Sequence, residues 1–207
     1  VDSSVSAALL LEQGYEVVGA FMKNWSDGEK KEECSWRTER RDAMRVAAQL
    51  GIELLTFDFE DEYRQHVYNY MIDEYKAGRT PNPDVLCNKY MKFGFLLREA
   101  EKLNCDYIAT GHYARTKVDD DGTTHLLAGK DQNKDQSYFL HAVSKDALQR
   151  TIFPLGELQK TEVREIARDH ALHVQGKKDS TGICFIGERP FREFLSTYLP
   201  ANPGPMQ

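Results

Sequence analysis

The sequence predicts an α/β protein: a doubly wound, mostly parallel sheet, followed by the start of a second domain. Three observations carry this. Helix-patterned segments alternate with short β-rich runs through residue 110. Each helical pattern stops at Gly14, Gly51 or Asn104, residues that readily end helices. The β-rich runs lead into polar stretches, where open α/β sheets bind ligands beyond the carboxyl ends of their strands.

The elements follow in order. Residues 4–13 read as a helix, and Tyr15 to Met22 as a strand. Over 37–50, Ala43, Val46, Ala47 and Leu50 fall on one helical face, and Glu53 to Phe59 is the next strand. A further helix fits at about 61–77. Phe93, Leu96, Leu97 and Ala100 mark a helix over 88–103, and Cys105 to Thr110 the third strand. Between 113 and 130, Asp121-Gly122 separates two extended runs as a hairpin turn. Helical patterns return near 136–150 and 161–171. Pro190 to Leu199 reads as a short amphipathic helix, the first element of a further domain.

Composition bounds the function. The 207 residues carry 33 acidic against 27 basic side chains, a formal charge of −6, and 41% are hydrophobic. A chain of this kind is globular rather than disordered or fibrous. No apolar run approaches the roughly 20 residues of a membrane span, and no signal peptide is visible, which points to the cytoplasm, or an organelle matrix. The acidity argues weakly against nucleic acid, although Arg37, Arg40, Arg41 and Arg45, Lys89 with Lys92, and Lys177 with Lys178 are local basic groups. The plainer reading of each, and the favoured one, is a solvated helix face. The four cysteines, Cys34, Cys87, Cys105 and Cys184, form no C-x-x-C pair, which argues against a zinc ribbon or a disulfide scaffold.

Several segments could carry chemistry. Asp2-Ser3-Ser4 opens the first helix, either as its cap or as an anion site. Cys87 follows Arg79-Thr80-Pro81-Asn82-Pro83-Asp84 and precedes Lys89 and Lys92. A thiol at a helix start beside cations has a lowered pKa; the alternative is a buried small apolar residue. Cys184 lies between Gly182 and Gly187, where its apolar neighbours favour burial. A charge-activated cysteine and one on a mobile loop would suit thiol exchange. The polar run Gly129 to Tyr138 is a surface loop or a reader of nucleotides. His112, after Gly111 at the third strand's end, is a weak signal alone.

Six ordered segments together resemble the tRNA-specific 2-thiouridylases over essentially the whole chain. They are Val1-Asp2-Ser3-Ser4, Phe21-Met22-Lys23-Asn24-Trp25, Gly78 to Asn88, Ala109-Thr110-Gly111-His112-Tyr113, Asn133 to Tyr138, and Asp179 to Arg189. The resemblance implies a Rossmann-like, adenine nucleotide hydrolase version of the doubly wound fold. It also implies ATP with Mg2+ as the activating reagent and 2-thiolation of the wobble uridine of tRNA. Val1, Asp2, Ser3 and Ser4 match the phosphate loop; Met22 and Gly111 match adenosine contacts. Asn82, Pro83 and Asp84 match the target-base loop, with Asp84 as acid/base. Lys134, Asp135 and Gln136 match a tRNA contact. Cys184 matches the persulfide carrier and Cys87 its partner thiol, with a disulfide or its equivalent left behind. No protein metal site is implied.

Chemistry supports such a sequence of events. A uracil carbonyl is a poor electrophile with a poor leaving group. Adenylation supplies the leaving group, a persulfide the nucleophile, and a neighbouring thiolate cleaves the S–S bond. Asp84 could move the proton. The uridine must also leave the anticodon stack. The implied partners are tRNA and a persulfide sulfur-donor protein, with no membrane and a monomeric chain.

The resemblance places residues 1–188 in the ATP-pyrophosphatase domain and 189–207 at the start of a central domain. It implies a fragment: the family's first strand and loop glycines precede Val1, and its barrel follows Gln207. Two other readings remain open at this level. One is another carbonyl-adenylating synthetase of the same fold; the other is a non-catalytic nucleotide- or RNA-binding module. An iron–sulfur cluster held partly by Cys87 and Cys184 is a third, minor option.

Overall fold

The computed structural model describes residues 1–26, 35–178 and 191–198. Helix α1 (Asp2–Glu12) leads to β1 (Gly19–Lys23), and α2 (Ser35–Leu50) to β2 (Leu54–Asp58). Gly14 and Gly51 end the two helices with positive φ, as their positions predict. β1 and β2 pair in parallel, with Gly19 opposite Leu54 and Lys23 opposite Asp58.

Two long helical runs follow. α3 spans 60–76 as Glu60–Tyr63, a π-helical turn Arg64–Tyr68, and Asn69–Lys76. α4 spans 83–102 as Pro83–Leu86, a π-helical stretch Cys87–Leu96, and Leu97–Lys102. Short β3 (Ile108–Ala109) comes next, then the antiparallel hairpin β4 (Ala114–Val118) and β5 (Thr124–Ala128). A 3-10 turn (Ser137–Leu140) and α5 (Lys145–Gln149) precede β6 (Thr151–Ile152), which pairs in parallel with β3. α6 (Lys160–Asp169) and α7 (Phe191–Tyr198) complete the described elements.

The alternation of helix and parallel strand is as the sequence predicts. The boundaries differ for local reasons. The first strand begins at Gly19 rather than Tyr15, and the third is two residues long rather than six. The pattern near 136–150 divides into the 3-10 turn and α5, because Ser144 caps the second helix by accepting from the Ala147 N–H. β6 was not expected: two residues give no period to read. Among the described residues, no helix is long and apolar enough to cross a membrane.

Three apolar clusters hold these elements. Phe59, Tyr63, Val67, Met71 and Met91 join α3 to α4. Phe93, Leu97, Ile108, Leu140 and Leu148 join α4, β3 and α5. Val5, Val46, Leu155, Val163 and Leu172 join α1, α2 and α6. The ends of α1, β3 and α6 meet above the third cluster, and that meeting point is the site.

Candidate nucleotide and thiol site

The amino end of α1 is the first half of the site. Val1 is the N-cap residue and makes no side-chain cap, so the first turn is not closed by a side chain. The first N–H groups of a helix have no intrahelical acceptor, and they face outward with the positive end of the dipole. The capping reading of Asp2 is therefore not what the structure shows. Its Oδ1 accepts from Lys160 Nζ at 2.7 Å and from the Tyr113 hydroxyl at 3.1 Å, and its Oδ2 from Lys160 Nζ at 2.9 Å. Ser3 and Ser4 stand on the same turn, Ser3 exposed.

Gly111 follows β3 and touches this turn. A Cβ at residue 111 would lie 2.8 Å from Asp2 C and 2.8 Å from Ser3 N. Only a residue without a Cβ lets the loop lie against the helix end.

Sequence reasoning missed Lys160. Its side chain is 11% exposed and reaches Asp2 from the first residue of α6. A cation there opposes the helix dipole, although Gln159 and Glu162 form a capping box. That mismatch in an otherwise well-formed helix start is the signal that could have found it.

The polar loop is anchored to the same place. The Gln136 N–H donates to Tyr113 O at 2.9 Å, and Gln136 Oε1 accepts from the Tyr113 N–H at 3.1 Å. Asp135 Oδ1 accepts from the Gly129 N–H at 2.8 Å, and its Oδ2 from the Ser137 hydroxyl at 2.8 Å. Burial works against ionisation of Asp135, but these bonds outweigh it and hold the carboxyl below its usual range. Lys134 lies in the turn its N–H closes on Asp131 O. Asp135 and Gln136 thus shape the loop, whatever it contacts.

The second half of the site is the start of α4. Asn82 caps it, its Oδ1 accepting from the Val85 N–H at 3.3 Å, and Pro83 occupies the first turn. Asp84 points to solvent, yet burial by its surroundings raises its carboxyl, partly countered by Lys92. Cys87 is half-buried against the α3–α4 cluster, which Met22 also packs on. Its thiol is pushed up, first by burial and then by Asp84, against the pull of Lys92. The expected lowered pKa is thus corrected. Asn82 starts the helix five residues earlier, so Cys87 lies past the N–H groups that would favour a thiolate. Next to it, Asn88 is 3% exposed and donates to Phe139 O at 3.1 Å, while its Oδ1 has no partner among the described residues. Cys34 and Cys184 lie outside the described residues.

His112 links the halves. It is 7% exposed, with Nδ1 2.8 Å from Thr110 Oγ1 and Nε2 3.3 Å from Lys92 Nζ. Burial, then Lys92, holds its pKa well below the usual 6.5. The sign of the pH effect follows. Below about pH 6.5 the unfolded imidazole takes a proton and the folded one does not, so stability falls with falling pH. Urea unfolding from pH 7 to 5 should show this loss, at a limiting slope of about 1.4 kcal/mol per pH unit for one such group. His112→Gln should flatten the slope; an unchanged slope would contradict the neutral imidazole.

Parallel strand pairs with helices between them, and a helix start, a glycine and a lysine converging beyond a strand end, define a nucleotide-binding α/β protein. A family model described as the tRNA methyl transferase HUP domain matches residues 1–188, and the chain belongs to that family. The Rossmann-like fold and the family resemblance read from the motifs are both borne out.

The chain is 57% identical over 206 residues to the tRNA-specific 2-thiouridylase MnmA of Lacticaseibacillus paracasei, covering 100% of this chain and 55% of that protein. It is 56% identical over 207 residues to the protein of the same name from Oceanobacillus iheyensis, covering 100% and 56%. Against that from Streptococcus sanguinis it is 56% identical over 206 residues, covering 100% and 55%. The chain spans about half the length of the curated relatives it matches.

Proposed function

We propose that this chain carries the catalytic part of an ATP-dependent tRNA-uridine 2-sulfurtransferase, acting on the wobble uridine in the cytoplasm. The observation that carries the reading is the pairing of two half-sites. The α1 end, where Lys160 holds Asp2, lies beside β3, and the Asp84–Cys87 turn is tied to the same strand end through Lys92 and His112.

In this reading the α1 end, Gly111 and Lys160 hold the ATP phosphates, with Met22 and Gly111 toward the adenosine. Mg2+ would be held chiefly by the phosphates and its waters, since it needs only one or two carboxylates and Asp2, the carboxylate at this helix end, already accepts from Lys160 and Tyr113. No group of three His, Cys, Asp or Glu side chains that could form a protein cage occurs among the described residues. The ion would neutralise phosphate charge.

The uridine O2 attacks the α-phosphorus and pyrophosphate leaves. The terminal sulfur of a Cys184 persulfide, supplied by a donor protein, adds at C2, and AMP departs. The Cys87 thiolate attacks the Cys184 sulfur, breaking the S–S bond and leaving 2-thiouridine and a Cys87–Cys184 disulfide, which a thiol reductant reopens. Asn82, Pro83 and Asp84 line the base, and the Asp84 carboxyl, raised above its usual range by burial, is the group placed to move the proton. Asn88, next in sequence to Cys87, keeps a buried Oδ1 with no partner among the described residues. Lys134, Asp135 and Gln136 form the tRNA-facing loop, and the protein works as a monomer.

The family description speaks of methyl transfer. The relatives' shared name, 2-thiouridylase, and a thiol beside a carboxylate at the head of α4 favour sulfur transfer over methyl transfer. The test is pyrophosphate release from ATP by this chain placed in the matching part of the Lacticaseibacillus paracasei relative. Release should require tRNA with uridine at the wobble position. Equal release with tRNA bearing another wobble base would overturn the reading.

A further inference from the structure

His112 and Lys92 are not used by the chemistry above, yet they are the connection between its two halves. His112 follows β3 directly after Gly111, the residue that lies on the α1 end. Lys92 sits in the π-helical stretch Cys87–Leu96. A π-helix bonds residue i to i+5 and is wider than an α-helix, so residues 87 and 92 lie on the same side of it. An α-helical period would have rotated Lys92 away from Cys87. The π-helical geometry thus brings Lys92 round to the Cys87 side of α4.

The hydrogen-bond chemistry fixes the histidine. An ammonium has no lone pair, so Lys92 Nζ donates and His112 Nε2 accepts. Nδ1 then carries the proton and donates to Thr110 Oγ1. A neutral imidazole is required, and its burial maintains one. We propose that Thr110 and His112 are positioning residues that hold the Lys92 ammonium over the Asp84–Cys87 turn, where it stabilises the Cys87 thiolate.

The surrounding charges leave Lys92 this role. On the first half of α4 stand Asp84, Lys89 and Lys92, and Lys89 lies over the Tyr90 ring, while Arg98, Glu99, Glu101 and Lys102 follow in its last turns. From α3, Arg64 pairs with Glu60 and lies over Trp25, and His66 stacks on Tyr90. From the 3-10 turn, Tyr138 meets Phe139 and His141. Among the described residues, Lys92 is the cation that favours ionisation of Cys87, with Asp84 against it.

The inference rests on Cys87 acting as a thiolate, but its test needs neither ATP nor tRNA. The rate of iodoacetamide alkylation at Cys87 is followed by peptide mass spectrometry from pH 6 to 10 in the full chain. Lys92→Met should raise the apparent thiol pKa and slow alkylation near pH 8 about tenfold, as one pH unit of displacement requires. Lys92→Arg should restore most of the rate. His112→Leu should slow it in the same direction, His112→Gln should restore it by keeping an acceptor, and the Lys92→Met/His112→Leu pair should be no slower than Lys92→Met alone. Identical pH profiles for wild type, Lys92→Met and His112→Leu, each with a cooperative melt, would overturn the proposal. So would additive losses in the pair. Thiolation can fail for other reasons without touching this result, so the two readings fail separately.

Discussion

Gly111→Ala should destabilise the protein by about 1–3 kcal/mol, the usual cost of overpacking, and lower ATP affinity at least tenfold. The new methyl would meet Asp2 C, Ser3 N and Asp2 Cβ, all within 2.9 Å. Two of those atoms are backbone in the first turn of α1, so no side-chain rotation relieves the clash. Either the loop after β3 or the helix end must move. Movement of the helix end redirects the N–H groups proposed to bind phosphate and pulls Asp2 from Lys160 and Tyr113. Gly176→Ala is the control, because a Cβ there meets nothing within 4 Å. Isothermal titration with ATP and urea melts of both variants check the result. Wild-type affinity in a well-folded Gly111→Ala protein would remove Gly111 from the nucleotide site.

Much of this arrangement was legible in the sequence because its determinants are local. Gly14, Gly51 and Asn104 stop helices by their own backbone preferences, whereas the start of α4 at Asn82-Pro83 lay outside the 88–103 helix that the apolar spacing marks. The apolar spacing of Val46, Ala47 and Leu50 reports the buried face of α2 without any partner in view. Gly111 and Cys87 were found because short motifs surround them. What stayed hidden depends on partners distant in sequence. Lys160 matters through Asp2, 158 residues away. The Lys92–His112 contact spans 20 residues and two elements. The π-helical turns have no distinctive composition, and they decide which side of α4 Lys92 takes. The Cys87 thiol misled for the same reason: neighbouring lysines in the sequence suggest activation, whereas burial, a property of the fold, pushes it the other way.

That reversal gives the second large effect its meaning. A raised thiol pKa keeps Cys87 protonated at rest, which protects it from oxidation and leaves ionisation to the moment when the charges around it change. Cys87→Ser retains the size and the burial but offers a hydroxyl that cannot cleave a persulfide. Turnover should fall on the order of a thousandfold or more, as removal of a nucleophile from a concerted site does. ATP binding at the α1 end should be unchanged, since Cys87 packs on the α3–α4 cluster and not on the cluster that contains α1. Fold loss is not expected from an isosteric change at a half-buried position.

The decisive measurement is mass spectrometry of tRNA nucleosides from a strain lacking 2-thiouridine. The strain carries the Lacticaseibacillus paracasei relative with its matching residues replaced by this chain, either with Cys87 or with Cys87→Ser. Sulfur transfer through Cys87 predicts that 2-thiouridine returns at the wobble position with the cysteine and is absent with the serine. Equal 2-thiouridine from both, or a methylated nucleoside in its place, would contradict it.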